Sequence, residues 1–191
     1  MPRPSVREAI VQAGLKELHR GGFHGRSIDD ITRAARVPKG SFYNHFESKE
    51  ALALEVIERY GEVARHRSLL EHQRSPVRRL REYFAYLAKI FSDADYARGC
   101  LLANLTAEMA DHSPALRKRL RRAFAEWTAA IASLVREGQA AGEIRTSHDP
   151  EQLAAFLLSA WEGTLIRARA SKNASPIGEF NKLVFSSHLL K

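Results

Sequence analysis

The stretch from Lys39 to Lys49 gathers two ammonium groups, two serine hydroxyls, a phenol, an amide and an imidazole around one glycine. These groups hydrogen bond and neutralise charge; none is paired for covalent chemistry. Lys39, Ser41 and Asn44 offer donors and acceptors suited to base edges in a DNA major groove. Tyr43 and His45 have the reach for phosphate oxygens, and Gly40 lets backbone approach backbone without a Cβ in the way. Lys49 follows Ser48 in a first helical turn, where unpaired N–H groups favour an anion. Ser27 and Thr32 add hydroxyls, and Arg36 a guanidinium, for contacts to the sugar-phosphate chain. No Walker loop, dinucleotide fingerprint, nucleophile-elbow serine or HExxH helix occurs, and the histidines form no i, i+4 pair. The expectation is therefore a non-enzyme with no cofactor and no bound metal.

Such groups must be held by short, closely spaced helices. Ser27–Ala35 and Pro38–His45 are separated only by Arg36 and Val37, the layout of a helix-turn-helix. Ile31, Ala34, Ala35 and Val37 would hold the pair together, with Ile28, Phe42 and Phe46 anchoring it on Leu15 and Leu18. Elsewhere four prolines follow a capping residue, in Ser75-Pro76, Ser113-Pro114, Asp149-Pro150 and Ser175-Pro176, which marks helix starts. Ser5 with Glu8, Ser27 with Asp30 and Asp149 with Gln152 read as capping boxes. Apolar residues recur at three- and four-residue steps, as in Leu116, Leu120, Phe124, Trp127, Ile131 and Leu134. Helices are predicted over 5–20, 27–35, 38–45, 48–66, 76–92, 98–110, 114–141, 150–171 and 176–189, an all-α chain.

The segment from Ile31 to Leu52 resembles the N-terminal motif of the TetR family of transcriptional regulators. The shared pattern is Ile-x-x-x-Ala, Val, Lys-Gly, Phe-Tyr-x-His-Phe and Ser-Lys-Glu-x-Leu. Arg36 stands where that family usually carries a turn glycine, and Pro38 replaces a common serine cap. The resemblance implies a three-helix DNA-binding domain over 1–47 and a helical ligand-binding and dimerisation domain over 48–191. It further implies a ligand-responsive repressor acting as a homodimer on palindromic double-stranded operator DNA. An activator of the same family and a non-specific architectural DNA-binding protein remain as alternatives.

A dimer of this kind would use segments 114–141 and 150–171, where Ala155, Ser159 and Gly163 form a small-residue stripe that intrachain packing could equally claim. The implied inducer pocket would draw apolar lining from Phe84, Leu87, Phe91, Leu101 and Leu105, and from Phe124, Trp127 and Trp161. Asn104, Glu108, Thr128, Glu162 and Arg169 would supply its polar points, with Glu108 favouring a cationic ligand. Gly99-Cys100-Leu101 resembles a segment of a TetR subgroup that includes electrophile and oxidant sensors. Arg98 and a helix start beside Cys100 would favour its thiolate; the competing reading is a small buried hydrophobe. The run Arg117–Arg122 reads as the solvated face of a long helix.

Composition agrees. The chain has 191 residues, is 45% hydrophobic and carries a net charge of +8, which suits an anionic partner. One cysteine excludes an internal disulfide. No apolar run is long enough to span a membrane, and no apolar leader follows Met1, so a cytoplasmic protein without membrane contact is expected.

Overall fold

The computed structural model describes residues 5–64 and 74–185, and every regular element among them is an α-helix. In chain order these are α1 (Val6–Gly21), α2 (Ile28–Ala35), α3 (Lys39–Tyr43), α4 (Lys49–Ala64) and α5 (Pro76–Asp93). They continue with α6 (Leu101–Met109), α7 (Pro114–Ala140), α8 (Pro150–Ser171) and α9 (Ser175–Phe185). The predicted extensions of α4 to 66 and of α9 to 189 lie outside the described residues.

Local chemistry sets most boundaries. Ser5 Oγ accepts from Glu8 N–H at 3.2 Å, and Asp149 accepts from Gln152 N–H at 2.9 Å. Ser27 and Asp30 form a complete capping box at the start of α2. Several helices depart from expectation, and α3, predicted over 38–45, spans only Lys39–Tyr43. Helix α6 starts at Leu101 because Asp95, Tyr96 and Gly99 all have positive φ, which no helix tolerates. Helix α9 already includes Ser175, whose N–H is held by Asn173 Oδ1 at 2.9 Å. Ser75 makes no side-chain cap; Glu143 instead accepts from Val77 N–H at 3.1 Å.

The chain forms two compact units. The first unit comprises residues 5–64 and 100–123, so α4, α6 and the first turns of α7 belong with α1–α3. Its core contains Ile10, Val11, Leu18, Ile31, Phe42, Leu52, Val56 and Ile57, all fully buried. Arg59 pairs with Glu8 at 2.9 Å, fastening α4 to α1. The second unit holds α5, the rest of α7, α8 and α9. Its centre is aromatic: the Phe84 ring lies 5.2 Å from Trp161 and 5.0 Å from Phe180, and Trp161 lies 5.3 Å from Phe180. Edge and tilted geometries of this kind add to the burial of large apolar surface. Arg79, almost wholly buried, reaches Glu137 and ties α5 to α7.

Candidate nucleic-acid interface

Helices α2 and α3 meet through a turn of three residues, Arg36, Val37 and Pro38. Arg36 adopts φ 58°, ψ 42°, the left-handed conformation that a glycine would enter without steric cost. Arg36 N–H reaches Arg33 O and Val37 N–H reaches Thr32 O, each at 3.1 Å, which closes α2 in the Schellman manner. The turn geometry is thus kept with an arginine at its tightest point, and its guanidinium stands at the surface.

Two rings set the attitude of α3. Phe42 is fully buried and Phe46 nearly so, their centroids 5.6 Å apart, while the Arg7 guanidinium covers the Phe46 ring at 5.2 Å. The opposite face is left to solvent: Lys39, Gly40, Tyr43, Asn44 and His45 are exposed and Ser41 is half-buried. Tyr43 is 54% exposed although it leans edge-on against Phe42, an unusual position for an aromatic ring with no partner surface. A Cβ built on Gly40 would meet no atom within 4 Å, so nothing in the chain itself requires glycine there. Lys39 pairs with Asp29 at 2.9 Å, and this hydrogen bond holds the ammonium more firmly protonated than usual. The pair is exposed, so a phosphate can replace the carboxylate at small cost.

Three residues expected at this surface have other tasks. Thr32 is buried, and its hydroxyl donates to Asp29 O at 3.2 Å inside α2. Ser27 Oγ accepts from Asp30 N–H and donates to Asp30 Oδ2 at 2.7 Å within the capping box. Lys49 donates to Phe23 O at 2.7 Å and Arg26 O at 2.8 Å, and its ammonium sits 4.3 Å from the Phe23 ring centroid. Burial lowers its pKa, against the opposing charge of Glu108. Lys49 therefore fastens the loop between α1 and α2 to the start of α4.

Glu108, expected to bind a cationic ligand, works on that same loop. It accepts from His24 N–H at 2.9 Å, and Gly22 beside it has φ 76°, ψ 179°. A Cβ on Gly22 would come within 2.1 Å of Glu108 Oε1. This close approach was not readable from the sequence, because 84 residues separate His24 from Glu108.

The other expected ligand-binding residues divide between the two units. In the first, Cys100 is the residue preceding α6 and is buried with Leu101 and Leu105; Asn104 is half-buried. In the second, Phe84, Phe91, Trp127 and Trp161 are buried, Leu87, Phe124, Thr128 and Glu162 are half-buried, and Arg169 is exposed. A cleft of about 300 Å³ beside the start of α8 is lined by Ser147, His148, Asp149, Gln152, Leu153 and Phe156, none of them expected there. Ala155, Ser159 and Gly163 are exposed on α8, and Phe156 and Ile166 are 56% and 66% exposed beside them.

Comparison with known proteins gives the same picture over nearly the whole chain. Residues 10–56 match the model for bacterial regulatory proteins of the tetR family, and residues 76–184 match that for the tetracyclin repressor-like C-terminal domain. The chain is 37% identical over 192 residues to the HTH-type transcriptional repressor DhaR of Mycobacterium sp. strain GP1, covering 99% of this chain and 95% of that protein. A crystal structure of the regulatory protein TetR from Rhodobacter sphaeroides superposes with a TM-score of 0.87 at 32% identity, covering 94% of this chain and 96% of that one. The reduced form of Escherichia coli NemR superposes with a TM-score of 0.87 at 26% identity, covering 96% of each chain.

Proposed function

Because this chain belongs to the TetR family of bacterial DNA-binding regulators, we propose that it is a cytoplasmic, ligand-responsive repressor that binds a palindromic operator as a homodimer. The observation carrying the proposal is the exposed face of α3, whose polar groups are presented on two buried phenylalanines. Lys39, Ser41 and Asn44 read base edges, while Arg36, Tyr43 and His45 hold phosphates and Gly40 allows close approach. Ser27, Thr32 and Lys49 position this surface from behind.

An α3 of five residues covers few base pairs, so a single head binds weakly. Two heads related by a two-fold axis double the contact and require half-sites about one helical turn apart, or a multiple of that. The exposed stripe of α8 is the surface that fits this dimer: Gly163 has no atom of its own chain near its Cβ position, and the flanking Phe156 and Ile166 are large exposed apolar groups. The inducer is proposed to lie against the aromatic residues of the second unit and to favour a conformer whose heads no longer match the operator. No helix among the described residues is long and apolar enough to cross a membrane.

The test is competition binding to the duplex upstream of the chain's own gene, at stated salt, with and without candidate small molecules. Tight binding that resists unrelated competitor DNA and is relieved by one molecule supports the proposal. Binding that tracks only salt and duplex length supports the architectural alternative instead.

A further inference from the structure

The densest cationic run of the chain, Arg117-Lys118-Arg119-Leu120-Arg121-Arg122, is distant from the reading head in sequence but belongs to the same compact unit. Two contacts place the beginning of α7 beside that head. The His112 ring lies 6.2 Å from His24, in the loop just before α2. Ser113 Oγ bonds the carboxylate of Glu50, the second residue of α4, and also accepts from Leu116 N–H at 3.0 Å. Further along, Arg119 pairs with Glu58, so α7 and α4 run in the same direction from a common end. That end is where α4 begins, immediately after the motif that carries α3.

The run's side chains divide by task. Arg119 is turned inward to Glu58 with 15% of its side chain exposed, and Arg117 closes the loop by donating to Ala110 O at 2.7 Å. Lys118 and Arg121 are exposed, lie three residues apart on one face, and make no ion pair among the described residues. Side chains on a helix lean towards its N-terminus, here towards the reading head. At 1.5 Å per residue the Lys118 and Arg121 backbones stand about 7 and 12 Å beyond Ser113 along the axis.

Of the four lysines and arginines of the reading head, Arg36 alone has no side-chain partner among the described residues. Lys39 is paired with Asp29, Arg33 with Asp30, and Lys49 with two carbonyls. Residues 110–122 hold five cations against one acid, Asp111. The other acids at this end are engaged or peripheral: Glu50 is bonded by Ser113, Glu108 by His24, and Glu47 is exposed ahead of α4. We infer that Lys118 and Arg121 form an accessory strip that attracts the phosphate backbone of the bound duplex, outside the bases read by α3. The inference rests on the operator-binding reading above and adds a second, sequence-independent surface to it. Such a strip raises affinity for any duplex equally and leaves base preference unchanged.

The experiment is a salt titration of duplex binding by the full chain and its Lys118→Gln/Arg121→Gln variant, on the operator and on a scrambled duplex of equal length. Arg145→Gln, an exposed cation in the other unit, gives the effect of one charge removed elsewhere. The expected result is a shallower dependence of log K on log salt, by about 0.9 for each phosphate no longer neutralised. At low salt this appears as a loss of roughly ten-fold or more on both duplexes, with unchanged penalties for single base-pair changes and a much smaller effect of Arg145→Gln. An unchanged salt slope would overturn the strip, as would a slope change equalled by Arg145→Gln. If the unaltered chain fails to distinguish operator from scrambled duplex, the operator-binding reading falls instead, and the slope comparison on scrambled DNA still decides the strip.

Discussion

Replacing Gly22 by alanine tests the junction between α6 and the reading head. The backbone there, φ 76° with ψ 179°, lies in a region open essentially only to glycine, and a residue with a Cβ held there loses about 1–3 kcal/mol. The new methyl would also fall 2.1 Å from Glu108 Oε1. The carboxylate can swing aside, but it then gives up His24 N–H, a charge-assisted bond worth about 1–2 kcal/mol. The expected destabilisation is about 2–5 kcal/mol, a large fraction of the stability of a domain this size. Urea unfolding followed by circular dichroism measures it. Glu108→Ala alone should cost about 1 kcal/mol, since the loop N–H can turn to water. In Gly22→Ala/Glu108→Ala the methyl no longer meets a carboxylate, so the double variant should be less destabilised than the sum by about 1 kcal/mol. Gly22→Ala within about 0.5 kcal/mol of the parent, or a strictly additive cycle, would refute the reasoning.

Further outcomes follow from the same structure. Arg36→Gly removes a left-handed non-glycine residue and should raise stability by up to about 1 kcal/mol, seen as a higher Tm, while operator affinity falls and its salt slope becomes shallower. The Asp30 carboxyl is held below its ordinary 3.8 by the Ser27 backbone N–H and then its hydroxyl, and Glu8 below its ordinary 4.5 by Gln12 and then Arg59. Depressed carboxyls stabilise the fold above their unfolded values and lose that contribution as pH falls through their folded values. The urea midpoint should therefore drop between about pH 5 and pH 3, and less steeply in Asp30→Asn. Gly163→Arg places a large cation on the exposed α8 stripe, where the chain itself offers no obstruction. Sedimentation should show a folded monomer in place of a dimer, with operator affinity lost in parallel.

Helix positions were legible because their signals are local. Ser27 with Asp30 and Asp149 with Gln152 fix starts through bonds three residues long, and Phe42 and Phe46 declare their burial by type and spacing. The left-handed Arg36 could be anticipated too, since it stands where the resembled motif usually carries a turn glycine. What escaped depends on tertiary approach. Lys49 and Thr32 look like surface donors in the sequence, yet their partners, Phe23 O, Arg26 O and Asp29 O, are backbone carbonyls with no sequence mark. Glu108 resembles a ligand group until His24 and Gly22 are brought beside it. The cationic run at 117–122 reads as distant solvated charge because nothing local reveals that Ser113 docks on Glu50. Ser75 shows the converse, a cap residue whose place is taken by Glu143, 66 residues beyond the Val77 N–H it accepts from.

The central claim is that two copies of the α3 face read one DNA site together. Selection of bound duplexes from a randomised pool by the full-length chain, followed by sequencing, tests it with no operator sequence assumed. The prediction is an enriched inverted repeat whose half-sites are centred about one helical turn apart, or a multiple of that. Recovery of the pool without enrichment, or of a single unrepeated element, would contradict it.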